Sequence, residues 1–409
     1  MKKRLRILTV IGISIANTMV MFWITFFLLS LPYIYGDELL LLRATSVTKN
    51  LLLGWEEKPD SSRFLFVDVA WEKELIDKFD ENAPEFPIGQ EAITNRQSLA
   101  AFLDTLSQKP TYKMIILDVN FMGKAASDSL LLVAIKKLPN LIISYHRDEK
   151  DSLVYPDLAI PKEKLGLSDI EKTDDVVIKF NLFHNDSIKS TPLLMYEKIY
   201  KKQFQKSSFA GISYLGEQPI FTSFILDYRL RAFDYTYTKK YAKTYLGELL
   251  FAPKDFLQTL TKNRIIFIGD FDLNNNNDIH ETIYGNTQGP LILLNAFLAV
   301  EAGDNQVTWA LIGFLFVCFF SISFTTFYTV ELYGRWIQHL LNWFSKKKNE
   351  DISLVASLTS FLTIFIIISV FAYFLFGIQI GILALAVYMN LMDKLNKRVK
   401  GFWTKGDSQ

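Results

Sequence analysis

The chain has 409 residues, of which 50% are hydrophobic and 21% charged, with 44 Lys and Arg against 43 Asp and Glu. This composition excludes a disordered chain and a disulfide scaffold, and a formal net charge of +1 provides no overall attraction for nucleic acid. The single cysteine, Cys318, excludes an intrachain disulfide and a cluster of thiolate metal ligands. Because the chain is too apolar for an ordinary soluble protein and too charged to lie wholly in a membrane, we expect long apolar runs around a globular part.

Uncharged runs predict four membrane-spanning helices. Residues 7–31 form a run of 25 residues, which exceeds the roughly 30 Å of the bilayer core at about 1.5 Å per residue. We interpret it as an uncleaved signal anchor, since no small-residue cleavage site follows. Residues 307–330 are the second predicted span. The uncharged stretch 352–392 is about twice the length of one span, so we divide it near Gly377 and Gly381 into spans 352–376 and 377–392.

The Lys and Arg residues that flank these spans predict the orientation of the chain. Basic residues precede the first span, Arg335 and Lys346 to Lys348 follow the second, and the tail 393–409 is basic, whereas residues 265–306 contain neither Lys nor Arg. Since positive charges remain on the cytoplasmic side, we expect the N-terminus (1–6), the connector 331–351 and the tail to be cytoplasmic. Residues 32–306 are then a periplasmic domain, anchored in a bacterial inner membrane.

The predicted outer domain is α/β with a mostly parallel sheet. Continuous apolar runs of strand length recur in it, at 64–68, 114–119, 141–146, 175–180, 224–228 and 265–269. Apolar residues at helical spacing occupy 96–108 and 127–138, between the first three of these runs. Strands that alternate with helices indicate right-handed crossovers and a parallel core. Thr191-Pro192 and Gly289-Pro290 begin two further predicted helices.

Several short motifs resemble a known family when they are taken together with the predicted spans. The resemblance covers the whole outer region and lies in four places: Phe66-Val67-Asp68-Val69; Ile116 to Phe121 with the following Asp128; Ile225-Leu226-Asp227-Tyr228-Arg229; and Arg264 to Gly269 with Asp278, Gly289 and Asn295. These segments resemble the type-2 CHASE domain, an extracytoplasmic sensory module associated with cyclases and histidine kinases.

The resemblance implies a sensory role and also marks two departures from the family pattern. Leu293 and Leu294 occupy the place where members typically carry a His-Ala pair before the asparagine of the closing helix. Members usually carry a catalytic domain after the last span, whereas only the short basic tail follows here. We therefore expect a stand-alone sensor that needs a separate cytoplasmic partner.

Carboxylates at the ends of the predicted strands are the first candidate ligand-binding residues. Asp68, Asp118 and Asp270 each follow or end an apolar strand, and the carboxyl ends of parallel strands meet at one edge, where ligands commonly bind. Asp227 of the Asp-Tyr-Arg segment is a further candidate. The structural alternative is that each carboxylate accepts hydrogen bonds from backbone N–H groups of the loop that follows it.

The loop 270–281 resembles the ligand spacing of a calcium loop. Its oxygen-bearing side chains at positions one, three, five, nine and twelve are Asp270, Asp272, Asn274, Asp278 and Glu281. Hard cations such as Ca²⁺ favour oxygen ligands, although a strand precedes the loop and Asn275 replaces the usual glycine. The alternative is an Asn-rich surface turn.

The segment after the second span predicts an amphipathic helix for the membrane surface or for a protein partner. The residues assigned to this surface are Arg335, Trp336, Ile337, Leu340, Leu341, Phe344, Lys346, Lys347 and Lys348. No hydrolase, P-loop or dinucleotide motif is present, so we expect no enzymatic activity.

We therefore interpret the chain as a membrane sensor that contacts the bilayer and a cytoplasmic or envelope protein, and homo-oligomerisation stays open. The rivals are a structural subunit of an envelope complex and an extracytoplasmic hydrolase built on the strand-end carboxylates.

Overall fold

The computed structural model describes residues 2–34, 36–55, 57–80, 83–148, 150–184, 188–207, 211–273, 278–328 and 350–406. The predicted amphipathic helix, with all its named residues from Arg335 to Lys348, and Asn274 of the proposed calcium loop lie outside this part of the chain. The rest divides into two units. The helical unit contains residues 1–49, 205–225 and 304–409, and the α/β unit contains residues 50–204 and 226–303.

Helices alternate with strands along the chain in the α/β unit. In chain order, the helices of both units are α1 (Lys2–Ser30), α2 (Gly36–Val47), α3 (Arg96–Gln108), α4 (Asp128–Lys137), α5 (Thr191–Tyr200), α6 (Ala232–Thr236), α7 (Leu246–Leu250), α8 (Lys254–Thr261), α9 (Gly289–Ala302), α10 (Trp309–Tyr328), α11 (Glu350–Phe376) and α12 (Ile382–Gly406).

The strands are short apart from one long pair. They are β1 (Phe64–Asp68), β2 (Lys73–Asp80), β3 (Ala83–Thr94), β4 (Met114–Asp118), β5 (Leu141–Arg147), β6 (Leu153–Val154), β7 (Leu165–Leu167), β8 (Val176–Val177), β9 (Lys179–Asn181), β10 (Phe183–His184), β11 (Ile188–Lys189), β12 (Phe204–Gln205), β13 (Ile212–Leu215), β14 (Gln218–Phe221), β15 (Ser223–Ile225), β16 (Ala242–Tyr245), β17 (Ile265–Gly269), β18 (Ile279–Thr282) and β19 (Gly285–Gln288).

A seven-stranded sheet forms the centre of the α/β unit, and its pairing confirms the predicted parallel core. The order is β16-β1-β17-β4-β5-β6, with β7 also paired to β5. The strands β16, β1, β17, β4, β5 and β7 are parallel, and only β6 runs antiparallel to its neighbour. β1, β17 and most of β4 and β5 are buried on both faces, which explains their continuous apolar sequences.

Helices cover both faces of this sheet. On one face, Leu65 and Val67 of β1 share a core with residues of α3, α4, α7 and α8. On the other face lie α5 and α9, whose first turns press closely on the sheet. A Cβ atom added to Gly269 would lie 2.7 Å from the Pro290 ring of α9, and one added to Gly166 would lie 2.6 Å from the Thr191 hydroxyl of α5. Glycine at these two positions therefore permits the close approach of the helices.

Two predicted strands are wrong in their extent, and one hairpin was not predicted. The run 175–180 is interrupted, since β8 ends at Val177 and β9 begins at Lys179, and the run 224–228 is a strand only to Ile225. β2 and β3 pair only with each other, as an antiparallel arm rich in charged residues. This arm was not predicted from the sequence, because its polar composition contains no continuous apolar run of strand length.

The helical unit contains the three described helices that are long and apolar enough to cross a membrane. They are residues 7–30 of α1, all of α10 and residues 357–376 of α11. Their shared core includes Met21, Leu315, Phe319 and Phe365. The sequence predicted a fourth span at 377–392, which this comparison of length and composition does not confirm. Residues 377–381 are not helical, Gly377 has a left-handed φ of 67°, and the uncharged part of α12 extends only from Ile382 to Met392.

Candidate functional site

Two of the predicted carboxylates lie at the same carboxyl edge of the sheet, one strand apart. In the register of the three central strands, Asp68 of β1 and Asp118 of β4 flank Gly269 of β17. The next strand provides Ser144, whose hydroxyl group hydrogen-bonds to the Asp118 carboxyl group. Strand ends alone were enough to predict this convergence, because parallel strands bring their carboxyl ends to one edge.

The Asp68 carboxylate is buried and has protein partners on both oxygens. Its Oδ2 lies 2.8 Å from the Lys243 ammonium group, and Oδ1 accepts backbone hydrogen bonds from Ala70 at 3.0 Å and Phe271 at 3.3 Å. Lys243 also donates to the carbonyl of Phe271 at 3.1 Å. These contacts are the structural role expected for such a carboxylate, and they join the loops that follow β1 and β17.

Among the described residues no cation is paired with Asp118 as Lys243 is with Asp68, and the ionised form of Asp118 is disfavoured. Burial and then the nearby Asp278 carboxylate raise the pKa of Asp118 to about 7, against the opposing effect of the Ser144 hydrogen bond. A buried carboxyl group beside a second carboxylate is charged only at a cost in free energy. A proton on Asp118, or a hydrogen-bond donor or cation beside it, removes this cost.

Asp278 occupies the N-terminal end of α9. A Cβ atom on Gly289 would lie 2.4 Å from either oxygen of the Asp278 carboxylate, so this group packs directly against the first residue of the helix. Oδ1 also lies 3.1 Å from His280 Nε2. A carboxylate at this position is stabilised by the unpaired N–H groups and dipole of the helix. The Asp118 and Asp278 pair thus connects the edge of the sheet to the beginning of α9.

The described residues of the proposed calcium loop contact one another, the start of α9 or a neighbouring strand. Asp270 Oδ1 accepts a hydrogen bond from the backbone of Asp272 at 3.1 Å, and Glu281 lies within β18, opposite Asn286 of β19. A strand thus stands where a calcium loop of this type continues into a helix. Within the described ranges, no three His, Cys, Asp or Glu side chains form a metal-binding group. With Asn274 outside those ranges, calcium binding stays a prediction.

Asp227 is bound by a different set of side chains. Its carboxylate accepts a hydrogen bond from Asn50 Nδ2, and the same amide group lies 2.6 Å from the Tyr284 hydroxyl. The strand before it, β15, is not part of the seven-stranded sheet. The sequence motif therefore groups Asp227 with Asp68 and Asp118, although Asp227 does not follow a strand of the seven-stranded sheet.

Two polar residues of the family motifs hold the α/β unit together. Asn295 of α9 is fully buried; its Nδ2 donates to the carbonyl of Leu230 at 2.7 Å and its Oδ1 accepts from the backbone N–H of Leu230 at 2.9 Å. Asp128 forms an ion pair with Arg96, a buried side chain that also donates to the carbonyls of Met122 and Gly123. Neither Arg96 nor Lys243 was identified from the sequence, because an isolated basic residue carries no signal of its buried partner.

The comparison with protein families identifies the chain. The family model described as CHASE2 domain matches residues 19–373, and the chain therefore belongs to the CHASE2 domain family. Comparisons with curated proteins and with solved structures gave no match. The match includes the α/β unit, α10, most of α11 and the second part of α1, so it agrees with the resemblance carried by the strand motifs. It is a membrane-associated, sensor-type chain with a sensory extracytoplasmic domain.

Proposed function

We propose that this protein detects a periplasmic cue with its α/β unit and relays it through its membrane helices to a separate cytoplasmic protein. The observation that carries the proposal is the position of α9. The helix begins at the Asp118 and Asp278 pair, is buried along Gly289 to Val300, and is followed after residues 303–308 by the candidate span α10. A ligand that favours one packing of α9 over another would shift the end of α9, and residues 303–308 connect that end directly to the span.

The proposed location is a bacterial inner membrane with both termini in the cytoplasm. The distribution of Lys and Arg supports this orientation. A cysteine introduced at the exposed Asp174 in a Cys318→Ser background should react with an impermeable maleimide added to the periplasmic side. Labelling that requires disruption of the inner membrane would refute the orientation.

A fourth crossing by α12 is part of the proposal, because contacts within the helical unit support it. The backbone N–H of Ile382 donates to the Glu38 carboxylate at 2.8 Å, and Tyr388 donates to Asn17 of α1 at 2.6 Å. Farther along, Asn396 Nδ2 donates to the carbonyl of Thr326, near the end of α10. At about 1.5 Å per residue, the distance from Ile382 to Asn396 is roughly 22 Å, most of the bilayer core.

The relay can be tested with the native thiol of Cys318 as a reporter. Cys318 is half-buried in α10, so its rate of reaction with a membrane-permeable maleimide depends on the packing of the helical unit. Gly269→Ala would place a Cβ atom 2.7 Å from Pro290 and 3.1 Å from the backbone oxygen of Asp118, which forces the first turn of α9 away from the sheet. We expect this substitution to change the Cys318 rate several-fold.

The matched control is Gly89→Ala, because a Cβ atom at Gly89 of the arm meets no atom within 4 Å. It should leave the Cys318 rate unchanged. The full chain in lipid nanodiscs is used for both variants, with thermal unfolding as the check on folding. If folded Gly269→Ala protein labels at the wild-type rate, α9 does not communicate with α10 and the proposed relay is wrong.

The partner and the absence of catalysis are also proposals. We propose that residues 331–348 bind the cytoplasmic partner, so that their deletion abolishes its co-purification while membrane insertion is retained. Recovery of the same partner by the deletion variant would refute this assignment. We further propose that the strand-end carboxylates bind and do not hydrolyse, since Asp68 is held by Lys243 and two backbone N–H groups.

A further inference from the structure

Lysine residues concentrate at the amino edge of the sheet, opposite the carboxylate pair. This surface, which we call the basic edge, is formed by the starts of the parallel strands and the ends of the helices that precede them. Its exposed members are Lys109, Lys113, Lys136, Lys137, Lys162, Lys201, Lys202 and Lys262. Contacts between the ends of elements confirm that they share one edge: Lys198 Nζ of α5 lies 3.4 Å from the carbonyl of Leu141 at the start of β5.

Carboxylates at the basic edge are fewer than the lysines, and two of them form ion pairs. Glu301 lies 2.5 Å from Arg63, and Asp104 lies 2.6 Å from Lys137. Burial lowers the pKa of Lys198, the positive charges of Lys164 and Lys201 lower it further, and the Glu163 carboxylate opposes them. The excess positive charge at this edge is therefore not balanced within the α/β unit.

Helix dipoles account for only part of this surface. Lys136 and Lys137 lie in the last turn of α4, where a positive charge is stabilised by the dipole. Lys109 is the C-cap residue of α3 and gains from the same effect, whereas Lys113 and Lys162 lie before β4 and β7, away from the C-terminus of any described α-helix. The lysines of the basic edge are therefore complementary in charge to an anionic surface that contacts the whole edge.

The chain itself limits how far the basic edge can be from the lipid headgroups. α9 ends at Ala302 of this edge, and α10 begins at Trp309. The residues between them, 303–308, are six residues and extend over at most about 20 Å. Trp309 is 86% exposed and is of the residue type that anchors spans at the headgroup level. The opposite edge carries the Asp118 and Asp278 pair, which a negatively charged surface repels.

We propose that the basic edge binds the phosphate groups of anionic phospholipids in the leaflet that faces the α/β unit. The lipid surface fixes the orientation of the sheet, with the basic edge toward the membrane and the acidic edge away from it. The interaction requires membrane insertion but does not depend on the proposed relay. It is electrostatic, so it weakens as salt shortens the Debye length.

Energy transfer in single-chain nanodiscs tests this docking. The full chain carries Cys318→Ser and a donor dye on a cysteine introduced by Gln203→Cys, an exposed position beside Lys202. The acceptor is a headgroup-labelled lipid. We expect more transfer in discs that contain phosphatidylglycerol than in pure phosphatidylcholine discs, and loss of the difference at about 1 M salt, where the Debye length is about 3 Å.

Charge reversal identifies the surface. Each lysine near an anionic membrane strengthens binding about five-fold, so the combined variant Lys109→Glu, Lys136→Glu, Lys202→Glu and Lys262→Glu should lower the ratio of docked to undocked protein by at least roughly 600-fold. The matched control reverses four exposed lysines elsewhere: Lys73, Lys78, Lys124 and Lys150. It has the same net charge as the edge variant and should keep the lipid dependence.

Three results would overturn the proposal. Transfer that is equal in the two lipid compositions shows that the edge does not bind anionic headgroups, and an edge variant that keeps the lipid dependence shows that another surface binds them. A lipid-independent increase that appears only in discs with two copies shows that the basic edge binds a second chain instead. Unfolding midpoints of both four-lysine variants confirm that each is folded when these results are read.

Discussion

Replacement of Asp118 by asparagine should remove a pH dependence of stability that the paired carboxyl groups create. Burial and then the Asp278 carboxylate raise the pKa of Asp118 to about 7 in the folded chain, whereas an unfolded aspartate has a pKa of about 3.9. Between these values the folded state holds a proton that the unfolded state has lost. The free energy of unfolding therefore falls as pH rises from about 4 to about 7, and the contribution is fully present only below about pH 4.

The size of this effect follows from the difference in pKa. One proton is worth about 1.4 kcal/mol per pH unit, so a difference of roughly three units gives an upper bound of about 4 kcal/mol. Because part of Asp118 is exposed to solvent, screening reduces this contribution to the free energy of unfolding. We therefore expect about 2 kcal/mol. For a unit of this size, that corresponds to roughly 4–8 °C in the unfolding midpoint.

Thermal unfolding of the full chain, followed by tryptophan fluorescence between pH 5 and pH 8, measures the effect. The midpoint of Asp118→Asn should rise relative to the wild type as the pH increases. Asp104→Asn is the control, since the Lys137 hydrogen bond lowers the pKa of that carboxyl and its titration lies below this range. Parallel midpoint curves for wild type and Asp118→Asn would refute the assignment of a protonated Asp118.

Three further substitutions test the buried polar contacts. Asn295→Leu leaves the backbone N–H and carbonyl of Leu230 without partners and should cost about 3–4 kcal/mol in unfolding free energy, measured by denaturant titration; a loss below about 1 kcal/mol would contradict this. Arg96→Met leaves the Asp128 carboxylate without its cation and should cost about 3–5 kcal/mol in the same assay, and a neutral result would show that the pair is not stabilising. Tyr388→Phe removes a hydrogen bond inside the helical unit and should cost only about 0.6–1.7 kcal/mol in detergent unfolding, so a larger loss would indicate a wider rearrangement.

The sequence was sufficient where a single physical signal dominates. The helix Arg96–Gln108 has the predicted bounds, because apolar residues repeat at helical spacing and Asn95 caps its first turn by accepting from the Ser98 N–H at 2.9 Å. The central strands were predicted because burial on both faces requires continuous apolar runs. The edge strand β16 was not, because it is partly exposed and its Lys243 reads as a surface residue.

The contacts of the candidate site depend on the order of the strands in the sheet, which local sequence patterns do not reveal. The position of β17 between β1 and β4 decides which carboxylates become neighbours. This strand order results from the packing of the whole sheet. For the same reason the sequence grouped Asp227 with Asp68 and Asp118, although Asn50 binds it. The break predicted near Gly377 and Gly381 extends over residues 377–381, so the helix of the predicted span 377–392 begins only at Ile382, which hydropathy alone does not show.

The arm formed by β2 and β3 has a consequence for how copies of this protein can associate. Its outer edges are unpaired strands, the kind of surface that recruits a strand from another molecule. Here Pro87 removes a backbone donor, the register shifts on both sides of Phe79, and several Asp and Glu residues line both strands. These features disfavour strand pairing between the arms of neighbouring copies, so we expect the protein to reach a high density in the membrane without aggregating through this arm.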